Sequence, residues 1–155
     1  MQWRIMVMTN LIIPKTIEQT LNYRKPEYLY HFTSLFHLNS INEKGILLAT
    51  DSCLNPYHIV EPNVVWFTSD PDPEQKWKDG SIVNKTEVQF IFPTEKLDVY
   101  PWVEWAKHKG TPNFWIEALS STGGNAMDWF VHIGDLVITE ELNTRVKFNY
   151  EKDKS

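Results

Sequence analysis

At Ser34 the hydrophobic period of this chain changes, and no other point in the sequence constrains the fold as much. Before it, YLYHFT (28–33) alternates. Tyr28, Tyr30 and Phe32 fall on one side, and Leu29, His31 and Thr33 on the other, the period of a strand. After it, Leu35, Leu38 and Ile41 recur three apart, with Phe36 beside them, as on one helix face. Thr33 or Ser34 can serve as N-cap. Gly45 stands where a left-handed residue ends a helix. A strand that runs straight into a helix over 34–44 is therefore predicted.

The rest of the chain is richer in strand signals than in helix signals. VVWFTS (64–69) is a continuous run of β-formers, as in a buried strand. TEVQFIFP (86–93) alternates, with Val88, Phe90 and Phe92 on one face. LDVYPW (97–102), DWFVHI (128–133), DLVITEEL (135–142) and RVKFNY (145–150) also read as strands. A short helix fits 16–23, and residues 102–119 mix helical and loop signals. Residues 49–63, 70–81 and 120–125 read as loops, rich in proline, polar groups or paired glycines. No regular strand-then-helix rhythm runs through the chain. That pattern predicts an α+β domain of two packed, mainly antiparallel sheets with the 34–44 helix against them. One domain spanning 1–155 is expected, with 1–27 as an N-terminal extension and 151–155 as a solvated, flexible tail.

Charge and motif content exclude several classes. Acidic residues outnumber basic ones 20 to 15, and no Lys/Arg cluster occurs, so tight non-specific binding to duplex phosphates is not expected. The single cysteine, Cys53, cannot form an internal disulfide and points to a reducing compartment, the cytoplasm. No apolar run reaches the roughly 18 residues that span a bilayer, so no membrane association is expected. The opening MQWRIMVMTNLIIP is interrupted by Thr9 and Asn10 and lacks a small-residue cleavage site, unlike a signal peptide. The histidines, at 31, 37, 58, 108 and 132, form neither HExxH nor a pattern with CxxC, so no zinc site is expected. GxxxxGK[ST], GxGxxG and GxSxG are all missing. A Cys53 nucleophile served by His58 would have to work from within a proline-rich loop.

Three short constellations remain: His31-Phe32-Thr33 at one strand end, Trp66-Phe67-Thr68-Ser69 on a second strand, and Asp128 at the start of a third. Their order carries a resemblance. LYHFTSLFHLNSINEKGIL resembles the opening of the ADP-ribosyltransferase superfamily, in branches such as the DarT-like toxins that begin with a His-x-Thr strand and a helix ending in xxGxL. VVWFTS is similar to the family's second element, and NAMDWFVHI to its third.

The resemblance implies a transferase-like fold with NAD as substrate. His31 would contact the ribose, and Thr33 would shape the same end of the pocket. Trp66, Thr68 and Ser69 would support the nicotinamide side, and Asp128 would be the catalytic carboxylate. The implied activity is transfer of ADP-ribose to a macromolecular target, protein or nucleic acid, by a toxin or a mobile-element or phage effector. Two departures stand out: the family's acid is usually glutamate, and arginine-modifying branches carry an acid or amide where this chain has Ala126. Glu117, in NFWIEALSS, is the rival acid. The competing reading is an acidic, aromatic-rich interaction or inhibitor protein that keeps the fold without the reaction. The aspartate favours it; His31 and Thr33 oppose it.

Overall fold

In the computed structural model, which describes residues 25–54, 62–75, 77 and 84–149, the alternating run around Phe90 becomes β4 (Val88–Pro93). Val88, Phe90 and Phe92 all sink into one core, as their spacing predicts. β1 (Tyr28–Thr33) pairs antiparallel with β4 along its whole length, from Tyr28 opposite Pro93 to Thr33 opposite Val88. With β3 (Val64–Thr68), β5 (Tyr100–Pro101), β6 (Trp129–Ile133) and β8 (Arg145–Phe148) they build a six-stranded sheet, order β5-β6-β3-β1-β4-β8. All its pairings are antiparallel. β2 (Ile46–Leu47) and β7 (Leu136–Val137) form a second, two-stranded sheet.

Three helices complete the described fold: α1 (Leu35–Lys44), α2 (Trp102–His108) and α3 (Asn113–Gly123). One face of the large sheet carries Leu29, Phe67, Phe90, Phe92 and Phe130, covered by Leu38 and Ile41 of α1 and by Leu47 and Leu136 of the small sheet. Phe67 and Phe92 meet edge to face at 5.5 Å. The opposite face carries Val64 and Val131 against Trp102, Val103, Trp105 and Ile116 of α2 and α3. Each fully buried side chain of this size stabilises the fold by about 1.5–3 kcal/mol.

The strand-to-helix junction forms where the period changes. Ser34 is the N-cap residue, with extended backbone, but its hydroxyl makes no cap bond. Glu87 takes that role: its Oε1 accepts from the Leu35 N–H at 3.0 Å, a negative charge at the positive end of the helix. Gly45 closes the helix with φ 67° and donates its N–H to the Ile41 carbonyl, a conformation that glycine adopts without steric cost. The apolar face of α1 is narrower than its sequence predicts. Leu38 and Ile41 pack on the core, while Phe36 is 79% exposed.

Elsewhere the elements differ in extent from the sequence expectation. The 97–102 strand shrinks to two residues, because Trp102 already begins α2. The 135–142 strand shortens to β7, followed by a 3-10 turn at Glu140–Leu142. The ambiguous 102–119 stretch resolves into two helices, each starting directly after a proline, Pro101 or Pro112. The expected turn at 120–125 is largely helix: α3 continues to Gly123 and breaks only at Gly124, φ 105°. Among the described residues the second sheet has two strands. The helix expected at 16–23 lies outside the described residues, as do most of the N-terminal extension and the tail.

The segment after β2 is anchored by three indoles. Trp66 of β3 donates from Nε1 to the Asp51 carbonyl (2.9 Å), Trp102 of α2 to Ser52 (3.1 Å) and Trp115 of α3 to Cys53 (2.8 Å). Three consecutive carbonyls are thus taken by three elements. Cys53 itself holds φ 68°, with its N–H on the Asp51 carboxylate at 3.0 Å. Among the described residues no helix is long and apolar enough to cross a membrane.

Candidate functional site

The two central strands of the sheet barely pair. β1 and β3 are neighbours, yet Tyr30 opposite Thr68 is their one registered position. Each of them pairs over its full length with its other neighbour. Across the open part of this seam reaches the imidazole of His31, whose Nδ1 lies 2.8 Å from the Trp66 carbonyl. A carbonyl oxygen only accepts, so Nδ1 carries the hydrogen. In the neutral ring Nε2 therefore keeps its lone pair. The ring packs edge-on against Phe67 at 5.9 Å and tilted to Phe90 at 6.4 Å. Burial holds the His31 pKa below its ordinary value of 6.5, and the bond to Trp66 pulls more weakly the other way.

A cleft of about 970 Å³ opens along the seam, and it draws on both faces of the sheet. His31, Thr33, Trp66 and Thr68, four of the residues expected from the sequence, line it. Thr33 and Thr68 are buried, and Thr68 Oγ1 accepts from the Asp70 N–H at 3.0 Å, which turns the chain at the end of β3.

Ser69 and Asp128 do not line the cleft. They adjoin it, since Ser69 follows Thr68 and Asp128 precedes Trp129, and both of those neighbours are lining residues. The two are bound to each other. The Ser69 N–H donates to the Asp128 carbonyl at 2.9 Å, and the Ser69 side chain hydrogen-bonds the Asp128 carboxylate. Asn125 shapes the turn that presents this acid: its Oδ1 accepts from Met127 N–H and its carbonyl from Asp128 N–H. Partial burial raises the Asp128 pKa above 3.8, the nearby charge of Asp70 adds to this, and the Ser69 bond works against both.

The rival groups stand elsewhere or are muted. Glu117 is exposed on α3 and does not line the cleft. Cys53 lines it, but burial and the charge of Asp51 push its thiol up, which disfavours the thiolate. His58 lies outside the described residues. Among the described residues no group of three or more His, Cys, Asp or Glu could hold a metal ion.

Sequence reasoning missed part of the lining: His37, Ser40 and Lys44 on α1, and Trp77 and Trp129 on the other side. The α1 residues did have a signal. Their spacing of three and seven places them on one stripe, next to the apolar stripe that was used to predict the helix.

A pH dependence follows from His31. Its folded pKa lies below the unfolded 6.5, so the unfolded chain binds the extra proton first. The associated stability is complete above pH 6.5 and is lost as pH falls from there through the folded value, at most about 1.4 kcal/mol per pH unit for one proton. Urea unfolding midpoints measured from pH 7.5 downward should fall more steeply for the parent than for His31→Gln. Equal slopes would show that His31 does not titrate between the two states.

No family model, no curated protein and no solved structure matches this chain.

Proposed function

We propose that the seam cleft binds NAD and that the chain is an ADP-ribosyltransferase-like enzyme with a macromolecular target, protein or nucleic acid, in an effector or toxin-like role. The observation that carries this is the open seam itself. It has a histidine on one strand, an aromatic residue and a threonine on the next, and a carboxylate at the entry to the strand beyond. A cleft of about 970 Å³ is large enough for a dinucleotide, at the upper end of ordinary ligand pockets. The antiparallel sheet, with its short helices, is compatible with a transferase-like fold.

Each side chain has a role that suits its chemistry. His31 Nε2 accepts a hydrogen bond from a ribose hydroxyl while Nδ1 stays tied to Trp66. Trp66 and Trp129, whose rings meet at 5.8 Å, offer aromatic surface for the flat nicotinamide. As the bond from ribose C1′ to nicotinamide breaks, its electron pair leaves with nicotinamide and positive charge grows on the ribose. The Asp128 carboxylate, steadied by Ser69, stabilises that charge. The target's nucleophile then bonds to C1′ and gives up its proton to water.

A second function is favoured by one specific observation. Asp128 and Ser69 adjoin the cleft but do not line it. That suits an interaction protein that keeps the fold without turnover. Incubation with labelled NAD and a cell lysate, followed by separation of protein and nucleic-acid fractions, tests the choice. Label in either fraction is the expected result. No label in any fraction, together with an unmoved melting temperature in excess NAD, would leave only the interaction protein, because a ligand of the native state must raise its stability.

A further inference from the structure

The charge of the cleft runs against the charge of the chain. The protein carries 20 acidic and 15 basic residues, for a net charge of −5. Yet Lys44 and Lys85 line the cleft, and among the described residues no aspartate or glutamate does. Cationic groups at the exposed rim of a groove with low-dielectric walls raise the potential within it, so the occupant complementary to this groove is an anion.

Where that negative charge sits can be argued from α1. The start of the helix is already taken, because the Glu87 carboxylate caps the Leu35 N–H. The far end is different. Leu38 and Ile41 fix the rotation of the helix by packing on the core. That rotation turns His37, Ser40 and Lys44 towards the cleft. The three side chains form one row about 10 Å long, from the rise of 1.5 Å per residue. A hydroxyl and an ammonium at the end of such a row suit phosphate oxygens, lysine acting as a point charge.

We infer that the row His37, Ser40 and Lys44 on α1 is the seat of the ligand's phosphates, so that a phosphate-bearing nucleotide lies with its phosphates along α1 and a flat ring at the Trp66–Trp129 side. This rests on the nucleotide-binding function proposed above. The occupant class follows from charge and shape together: a dianionic group joined to aromatic rings, as in ADP-ribose or an intact dinucleotide.

Calorimetric titration with ADP-ribose and with nicotinamide tests the inference, using the parent, Lys44→Ala, Lys85→Ala and, as a control, Lys107→Ala. Lys44 and Lys107 are exposed, so neither change should disturb folding, which circular dichroism checks. Lys44→Ala should weaken ADP-ribose about tenfold or more, the usual effect of losing one hydrogen bond to a charged group. It should leave nicotinamide binding unchanged, and the gap to the parent should narrow as salt is raised. Lys107→Ala should bind both probes as the parent does. Unchanged ADP-ribose affinity in Lys44→Ala overturns the seat on α1 while leaving the nucleotide site standing. So does a loss carried wholly by Lys85→Ala, which would move the phosphates to Lys85. A parent protein that binds neither ADP-ribose nor NAD overturns the seat and the nucleotide site together.

Discussion

The Asp128→Asn protein is expected to bind NAD as the parent does and to transfer ADP-ribose about a hundredfold more slowly, or worse. The substitution keeps the size and removes the charge. Under the proposed function, ground-state contacts would lie with His31 and the aromatic residues that line the cleft, which the change does not touch. The transition state alone carries the growing positive charge that a carboxylate would meet. The pH profile gives a second readout. If Asp128 acts as proposed, its raised pKa makes turnover fall on the acid side from a pH above 3.8. Ser69→Ala should move that limb further up, since the hydroxyl opposes the rise, and Asp70→Asn should move it down, since the Asp70 charge contributes to it. Full, NAD-dependent labelling by Asp128→Asn would remove this residue from the chemistry and turn attention to Glu117.

Trp102→Ala should cost about 3–5 kcal/mol, read from urea or thermal unfolding, and is expected to be the most destabilising single change in the helical layer. The side chain is 0% exposed and packs against both Trp66 and Trp129, with ring centroids 5.8 and 5.6 Å away. It also donates to the Ser52 carbonyl, which would be left without that partner in a buried place. Trp102→Phe separates the two contributions. It keeps most of the aromatic bulk and loses the N–H, so about 1–3 kcal/mol of the loss should remain. A cost under about 1 kcal/mol for Trp102→Ala would mean that the layer repacks freely and that the indole does not hold the 51–53 segment.

What could be read from the sequence was what has a local cause. The change of period at Ser34, the glycine at 45 and the alternation around Phe90 each act within a few residues, and each produced the element its pattern predicts. Pairing is not local. Nothing in YLYHFT says that β1 pairs fully with β4 and only at Tyr30 with β3. The cleft, which depends on that difference, was therefore invisible, although four of its lining residues were named from the order of short motifs. Glycines misled in one place: Gly123 was read as part of a turn, but its N-terminal neighbours continue a helix whose buried Ile116 outweighs the weak propensity. The described residues of the 49–63 segment do form a loop, with one isolated bridge from Thr50 to Val64, but the sequence does not show that three tryptophans distant in the chain hold residues 51–53.

The single registered pair between β1 and β3 has a mechanical consequence. The large sheet is two stiff panels, β5-β6-β3 and β1-β4-β8, with most backbone bonds inside each panel and few across the join. The compliance of the sheet is then concentrated at one line, which is the line where the cleft lies. A molecule lodged there touches both panels and acts as a strut, so occupancy stiffens the protein along its weakest direction. An empty join leaves His31 and the Tyr30–Thr68 pair as cross-members. In such a construction the softness of the sheet and its capacity to hold a ligand are one property, set by the backbone bonds that β1 and β3 leave unmade.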